Sequence, residues 1–262
     1  MMSNFKTISR FLGLILLITG MFSVSKAHAA GSYFQIRVYH FKDNAQQKVT
    51  ESYLKDLLVP NLHKWGIKQV GVFKTLETDT ADRRIYVLIP FSTWKSMEGF
   101  EDKLVALDLS ATANEYVNAN YKTPPYTRME TIVLSAFDKM PGTAVPKLTS
   151  PKAERVYELR SYEGPTEKYY RNKVKMFNDG DEVGLFKRLG FNAVFYARVL
   201  AGSRMPNLMY MTTFNNKQDR DKHWDTFSAD PQWKTLSSLP EYQNNVSKGD
   251  IIFLHPTDYS DF

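Results

Sequence analysis

The stretch Glu158–Tyr162 (ELRSY) has a near copy upstream at Gln35–Tyr39 (QIRVY), 123 residues earlier. In both stretches an acid or amide is followed by an aliphatic residue, Arg, a small or branched residue and Tyr. Each stretch alternates polar and apolar residues with a period of two, which is typical of a β-strand. The two stretches are therefore predicted to be the opening strands of two copies of one domain.

The residues downstream of each stretch predict the same series of elements, namely strand, helix, strand, strand, helix and strand. In the first copy the first helix begins near Asp43, and Pro60 is expected to kink or end it near Val59. The predicted strands are 33–39, 70–76, 84–90 and 131–134 in the first copy, and 155–162, 192–200, 207–214 and 251–254 in the second.

A repeat with this order predicts an α+β fold of two tandem ferredoxin-like domains with antiparallel sheets. The segment between the copies is rich in Pro and Gly and poor in large apolar residues, which is typical of a linker. The predicted organisation is a signal peptide at 1–29, a first domain at 30–138, a linker at 139–153 and a second domain at 154–262.

The N-terminus has the features of a secretory signal. Lys6 and Arg10 supply a positive region, an apolar run begins at Phe11, and Ala27–Ala29 (AHA) forms an A-x-A cleavage site. An uncleaved anchor is the alternative, but the run is shorter than the roughly 20 apolar residues that a membrane span requires. We expect cleavage near Ala29, a periplasmic or secreted protein, and no membrane span after removal of the signal.

Charge and composition exclude several classes of protein. The net charge of +6 includes three cations of the first 29 residues, and the remaining 31 basic and 28 acidic side chains are interspersed. A balance this close to neutral does not favour nucleic acid as a partner. The absence of cysteine excludes disulfides, thiolate catalysis and Cys-ligated metal sites.

Three segments of the second half resemble the NIPSNAP family, namely Tyr157–Tyr162 (YELRSY), Gly190–Phe191 and Trp224–Trp233 (WDTFSADPQW). The first half keeps Arg37 and Tyr39 but lacks the Asp-Pro turn, so it resembles a degenerate copy. The resemblance implies a dimeric α+β barrel, here a pseudo-dimer in which two sheets of one chain face each other and the helices stay outside. This superfamily includes monooxygenases, isomerases and non-enzymatic members, and the fold alone cannot choose among them.

The alternation in the opening strands assigns their side chains to two faces. Ile36, Val38 and Leu159 are expected to pack under the helices. The opposite face is expected to point into the barrel and to supply the candidate ligand-binding residues Arg37, Tyr39, Glu158, Arg160 and Tyr162, with Tyr196 on a neighbouring strand.

Two interpretations of this polar face stay open. Glu158 and Arg160 can form a structural ion pair, because buried charges are usually paired. Alternatively, Arg160 holds an anionic group in a ligand cavity and Tyr162 donates a hydrogen bond to it. Tyr196 is expected either to fill the core or to line an apolar pocket.

No motif in the chain demands a reaction, and its five histidines lack the spacing of metal ligands. No cofactor is expected, although a single His can hold haem iron. The favoured hypothesis is an exported protein that binds a small apolar or amphipathic molecule between its sheets. The alternatives are a cofactor-free or haem-processing monooxygenase, and a non-catalytic structural protein that forms homo-oligomers through its sheet edges.

Overall fold

The structure, a computed structural model, describes residues 32–76 and 83–262. The strands are β1 (Tyr33–Phe41), β2 (Gly71–Thr75), β3 (Arg83–Phe91), β4 (Arg128–Ala136), β5 (Val156–Glu163), β6 (Phe195–Ala201), β7 (Asn207–Phe214) and β8 (Lys248–Pro256). The helices are α1 (Asn44–Tyr53), α2 (Val59–Lys64), α3 (Trp94–Glu98), α4 (Phe100–Ser110), α5 (Glu167–Asn178), α6 (Glu182–Arg188), α7 (Lys217–Ala229) and α8 (Pro231–Ser238). Each half therefore contains a strand, two helices, two strands, two helices and a strand.

The eight strands close into one barrel in the order β1-β3-β2-β8-β5-β7-β6-β4, and β4 pairs with β1. Neighbouring strands are antiparallel all the way round. The two halves meet at two places, which we name the β2–β8 seam and the β4–β6 seam. The predicted α+β fold, a pseudo-dimeric barrel of antiparallel sheets, is confirmed.

The barrel interior is a continuous apolar core to which every strand contributes. Phe34, Phe73, Tyr157, Phe195 and Leu254 are all fully buried in it. An eight-stranded barrel is just wide enough for side chains to fill. The ring centroids of Phe73 on β2 and Tyr157 on β5 lie 5.0 Å apart, so the core joins the two halves directly.

The predicted assignment of the two strand faces is wrong. Ile36, Val38 and Leu159 lie inside the barrel, whereas the polar residues between them lie on the outer face under the helices. The physical reason is the supply of partners. A closed interior offers few hydrogen-bonding groups, while helices that lie on the outer face bring charged side chains to it. The apolar core therefore occupies the space between the two sheets, where a bound ligand was expected.

Polar side chains cap several helix starts, and the predicted start near Asp43 is one of them. Asp43 and Asn216 each accept a hydrogen bond from a backbone N–H of the first turn that follows. Asp230 does the same at the start of α8, where Pro231 occupies the first helical position. Near Val59, where Pro60 was expected to kink or end the first helix, a π turn at Leu54–Leu58 interrupts the α-helix, which resumes at Val59 and runs to Lys64. Pro60 then falls in the first turn of α2, where a missing N–H costs little.

The predicted signal peptide at 1–29 and the predicted turn at Asp79–Asp82 lie outside the described residues. Among the helices that the structure does describe, none combines the length and apolarity needed to cross a membrane.

Candidate functional site

The structure places all six predicted site residues on the outer face of the barrel, in two separate layers. Arg37 and Tyr39 lie under the helices of the first half. The second-half members lie under α5 to α8, and these are Glu158, Arg160, Tyr162 and Tyr196. The two groups therefore do not share a pocket, because the barrel core separates them.

Glu158 is fully buried and lies at the centre of an ionic network between β5 and α7. Its Oε1 accepts hydrogen bonds from Arg160 Nε at 2.5 Å and Arg220 Nη2 at 3.1 Å. Its Oε2 accepts from Arg220 Nε at 2.6 Å and Trp224 Nε1 at 3.0 Å. We call these four residues the Glu158 network. Each carboxylate oxygen has two donors, which is the full pairing that a buried charge requires.

Arg160 is held on three sides by the protein. Its guanidinium carbon lies 3.7 Å from the centre of the Trp224 ring, and Nη1 donates to the Tyr162 hydroxyl at 2.7 Å. Tyr162 in turn lies 3.0 Å from the hydroxyl of Tyr210. Burial alone would lower the pKa of Arg160, but Tyr210, Tyr162 and Glu158 raise it above its usual value. This permanently charged group holds the layer together, and the geometry favours the structural interpretation.

The first-half layer is looser. Arg37 Nη2 donates to Glu101 Oε1 at 2.6 Å, but the Glu101 side chain is 64% exposed. The guanidinium carbon lies 5.0 Å from the centre of the Phe100 ring. Tyr39 is buried beside Tyr126, with ring centroids 5.6 Å apart, and burial raises its pKa above the usual tyrosine value. Arg37 and Tyr39 therefore contribute mainly to packing between β1 and the helices.

A second buried ion pair lies under the second-half helices, and the sequence analysis missed it. Lys173 of α5 donates to Glu182 of α6 at 2.9 Å, and both side chains are at least nine-tenths buried. Burial raises the pKa of Glu182, and Lys173 opposes that rise. Lys173 and Glu182 lie nine residues apart on two different helices, so no local pattern in the sequence pairs them.

An open cleft of about 410 Å³ lies at one end of the first half, between the α2–β2 loop and α4. Aromatic residues contribute to its lining, and these are Phe34, Trp65, Phe91 and Phe100, of which Trp65 is partly exposed and the other three are buried. Exposed Lys68 and Lys103 stand at its rim, and Lys103 Nζ lies 5.6 Å from the centre of the Trp65 ring. Among the described residues that line it there is no carboxylate. We call it the first-half cleft.

The equivalent space in the second half is closed. Gly66 and Gly190 are counterparts in the two copies, and both have positive φ. A Cβ on Gly66 would meet nothing within 4 Å, whereas a Cβ on Gly190 would lie 3.4 Å from His223 Nε2. The next residue is Ile67 in the first copy but the fully buried Phe191 in the second. The change from Phe191 in the second copy to Ile67 in the first, next to the shared glycine, was the signal in the sequence that could have located the cleft.

The histidines have ordinary partners where the structure records them. His63 Nε2 lies 2.8 Å from Asp261 Oδ2 in an exposed pair, and His223 Nδ1 lies 2.8 Å from the Asp219 carbonyl oxygen. Across residues 32–76 and 83–262, His, Asp and Glu side chains nowhere gather in a group of three or more that could hold a metal ion.

These features define a single-chain α+β barrel with two ferredoxin-like halves, a polar layer under its second set of helices and a cleft under its first. Residues 157–261, most of the second half of the chain, match the family model NIPSNAP. The resemblance drawn from Tyr157–Tyr162 and the Trp224–Trp233 segment is confirmed for this half.

Two of the solved structures that match share the fold at low identity, and a third resembles part of the chain more distantly. A protein from Lactobacillus acidophilus NCFM, provisionally described as a monooxygenase, is 12% identical over 86% of this chain and 94% of its own, with a TM-score of 0.55. An anthrone oxidase-like protein is 8% identical over 88% of this chain and 93% of its own, with a TM-score of 0.52. A NIPSNAP family protein from Agrobacterium tumefaciens str. C58 is 19% identical over 42% of this chain and 99% of its own, with a TM-score of 0.37. No curated protein matches the chain.

Proposed function

We propose that this chain is a binding protein whose first-half cleft takes a small amphipathic anion. One observation carries the proposal: a single cleft combines the partly exposed Trp65 ring with two lysines, and its described lining holds no carboxylate. The proposal keeps the ligand class expected from the sequence and moves the site from between the sheets to the outer face. Export of the chain and a monooxygenase activity stay predictions, the latter supported only by fold similarity.

The chemistry of the cleft matches the two ends of such a ligand. The partly exposed Trp65 ring presents apolar surface to a hydrocarbon or aromatic portion, and the buried Phe100 ring supports it edge-on, with ring centroids 6.2 Å apart. Burial of that portion contributes about 25 cal/mol per Å². Lys68 and Lys103 at the rim attract an anionic head that stays near solvent. A volume of about 410 Å³ lies within the usual range for small-molecule sites, roughly 300–1,000 Å³.

The charge change Lys103→Glu should weaken binding of decanoate, used as the probe, by at least about tenfold, or about 1.4 kcal/mol. The reason is that it replaces an attraction by a repulsion at the rim. Titration calorimetry measures the affinity of the full chain and of each variant. Lys187→Glu is the matched control, because it makes the same charge change on an exposed lysine of α6 in the other half. Equal losses in both variants would show a general charge effect and contradict the proposal.

The filling change Ile67→Phe should abolish decanoate binding without unfolding the protein. The substitution gives the first half the aromatic side chain that Phe191 supplies in the closed second copy. Because Ile67 is only half-buried, the larger ring can extend into the cleft without disturbing the core. Circular dichroism checks the fold, and calorimetry checks the binding. Full-strength binding to a folded Ile67→Phe variant would place the ligand elsewhere. Equally tight binding of decylamine to the native chain would show that the cleft does not select an anion.

A further inference from the structure

A second cleft, of about 460 Å³, lies on the outer face over the β2–β8 seam. Its floor is the cross-strand pair of Lys74 and His255, one from each half of the chain. The end of α1 and the π turn that follows form one wall, and the residues after β8 form the other. We call it the β2–β8 seam cleft. It exists only because the two halves meet there.

The β4–β6 seam carries a counterpart of about 640 Å³. The helical walls of the two clefts match residue by residue at the repeat offset of 123. In the first half the wall consists of positions 48, 51, 52, 55 and 56, and in the second half it consists of positions 171, 174, 175 and 178 of α5 and position 179 directly after it. The backbone hydrogen bond from Thr257 N to Val72 O likewise corresponds to that from Phe137 N to Tyr196 O. The fold therefore builds the same type of cleft twice, and the side chains decide what each can bind.

Both clefts keep the same framework of charges although the two copies have diverged. Four pairs of corresponding lining residues have the same sign, namely Lys48 with Arg171, Lys74 with Arg198, Asp56 with Asp179, and Asp258 with Asp138. The described lining of the β2–β8 seam cleft contains three lysines and three carboxylates, which are Lys48, Lys55, Lys74, Glu51, Asp56 and Asp258. Lys74 and Glu51 form an ion pair with each other, with Nζ 3.1 Å from Oε1, which leaves Lys48, Lys55, Asp56 and Asp258 to meet a ligand. A simple anion would meet the remaining carboxylates, and a simple cation would meet the remaining lysines. A ligand that carries both charges satisfies both sets.

Two hydroxyls at this cleft give an independent sign of a ligand. Thr257 Oγ1 and Tyr259 Oη are both buried, and within the described part of the chain the one polar neighbour recorded for either hydroxyl is the other. Two hydroxyls that face only each other leave one O–H donor without an acceptor. Such groups cost stability unless something satisfies them. Both residues line the β2–β8 seam cleft, as does His255. Burial lowers the pKa of His255, and Lys74 lowers it further, so the ring is a neutral hydrogen-bonding group at pH 7.

We propose that the β2–β8 seam cleft binds a small zwitterion of the α-amino-acid class. The lysines hold the ligand carboxylate, the opposing carboxylates hold its ammonium group, and the hydroxyls of Thr257 and Tyr259 hydrogen-bond to it. In the corresponding cleft, Thr257 is replaced by the apolar Phe137, so this hydroxyl is peculiar to the β2–β8 seam. The site is separate from the first-half cleft, so each of the two binding proposals can fail without the other.

The test titrates the full chain with each of the twenty L-amino acids and ranks them by thermal shift and calorimetry. We expect at least one to bind. Its deaminated acid and its decarboxylated amine should each bind at least tenfold more weakly. Absence of binding by every amino acid at millimolar concentration would overturn the proposal. Equal affinity for the deaminated acid would also overturn it, because the site would then be an anion site.

Thr257→Val separates binding from stability. It should weaken amino-acid binding at least tenfold while changing the urea midpoint little, because the only group that loses a neighbour is the Tyr259 hydroxyl. Tyr259→Phe should act in the same direction and serves if the first variant misfolds. Arg198→Met, in the other seam cleft, is the control and should leave the affinity unchanged. Unchanged affinity in both hydroxyl variants would contradict the proposed site.

Discussion

Glu158→Ala should destabilise the protein by about 3–5 kcal/mol, because it leaves two buried or partly buried guanidinium groups without their counter-charge. The carboxylate accepts hydrogen bonds from Arg160, Arg220 and Trp224, and its side chain has no exposed surface. This destabilisation has two causes. The substitution leaves an uncompensated charge under α7, and it removes the hydrogen bonds that connect that helix to β5. Urea unfolding followed by circular dichroism measures it as a lower midpoint at constant slope.

The first half provides the matched control for this prediction. Glu101→Ala removes the partner of Arg37, the counterpart of Arg160, but Glu101 is largely exposed. Exposed pairs contribute about 0–1 kcal/mol, so the midpoint should hardly move. Similar effects of the two substitutions would show that the Glu158 network does not stabilise the fold. The ligand interpretation of Arg160 would then become the stronger one.

Phe73→Ala should cost about 3–5 kcal/mol, the usual range for removing a fully buried aromatic ring. Phe73 belongs to the first half, yet its ring contacts Tyr157 and Phe262 of the second half, at centroid distances of 5.0 and 6.0 Å. The cavity therefore opens in a core that both halves share. Unfolding should remain a single transition, because neither half has a barrel interior of its own.

Leu76→Ala, just after the same strand, is the control. Leu76 is 38% exposed, so its truncation should change stability by less than about 0.5 kcal/mol. A Phe73→Ala variant that unfolds in two steps, with the second half surviving the first half, would contradict a shared core. Near-ultraviolet circular dichroism and tryptophan fluorescence distinguish one step from two.

The repeat itself was visible in the sequence because it depends on local patterns. The alternation at Gln35–Tyr39 and Glu158–Tyr162 predicted two opening strands, and capping at Asp43 predicted a helix start that the structure shows. These features need only nearby residues. The family resemblance depended on the same segments together with Trp224–Trp233, and it was confirmed for the second half.

The orientation of the strands could not be obtained in the same way. Alternation at Ile36 and Arg37 shows that a strand has two faces, but it does not say which one becomes the interior of a closed barrel. That depends on long-range partners, such as Arg220, which lies 62 residues from Glu158 along the chain. The first-half cleft was missed for a related reason, since it depends on which of Ile67 and Phe191 fills the space beside a shared glycine.

Cross-strand disulfides at the seams test most directly whether the two halves close one barrel. The chain has no cysteine, so introduced pairs are unambiguous. Lys74 pairs with His255 at the β2–β8 seam, and Ser135 pairs with Arg198 at the β4–β6 seam. Antiparallel partners have Cα atoms about 4.5–5.5 Å apart, within the range that a disulfide spans.

The measurement is the free-thiol content and oligomeric state of two proteins after mild oxidation. One carries Lys74→Cys with His255→Cys, and the other carries Ser135→Cys with Arg198→Cys. A closed barrel predicts that both remain monomers and lose both thiols to an intrachain disulfide. Free thiols or only intermolecular disulfides at either seam would show an open sheet there, and the account of a single barrel built from two halves would be wrong.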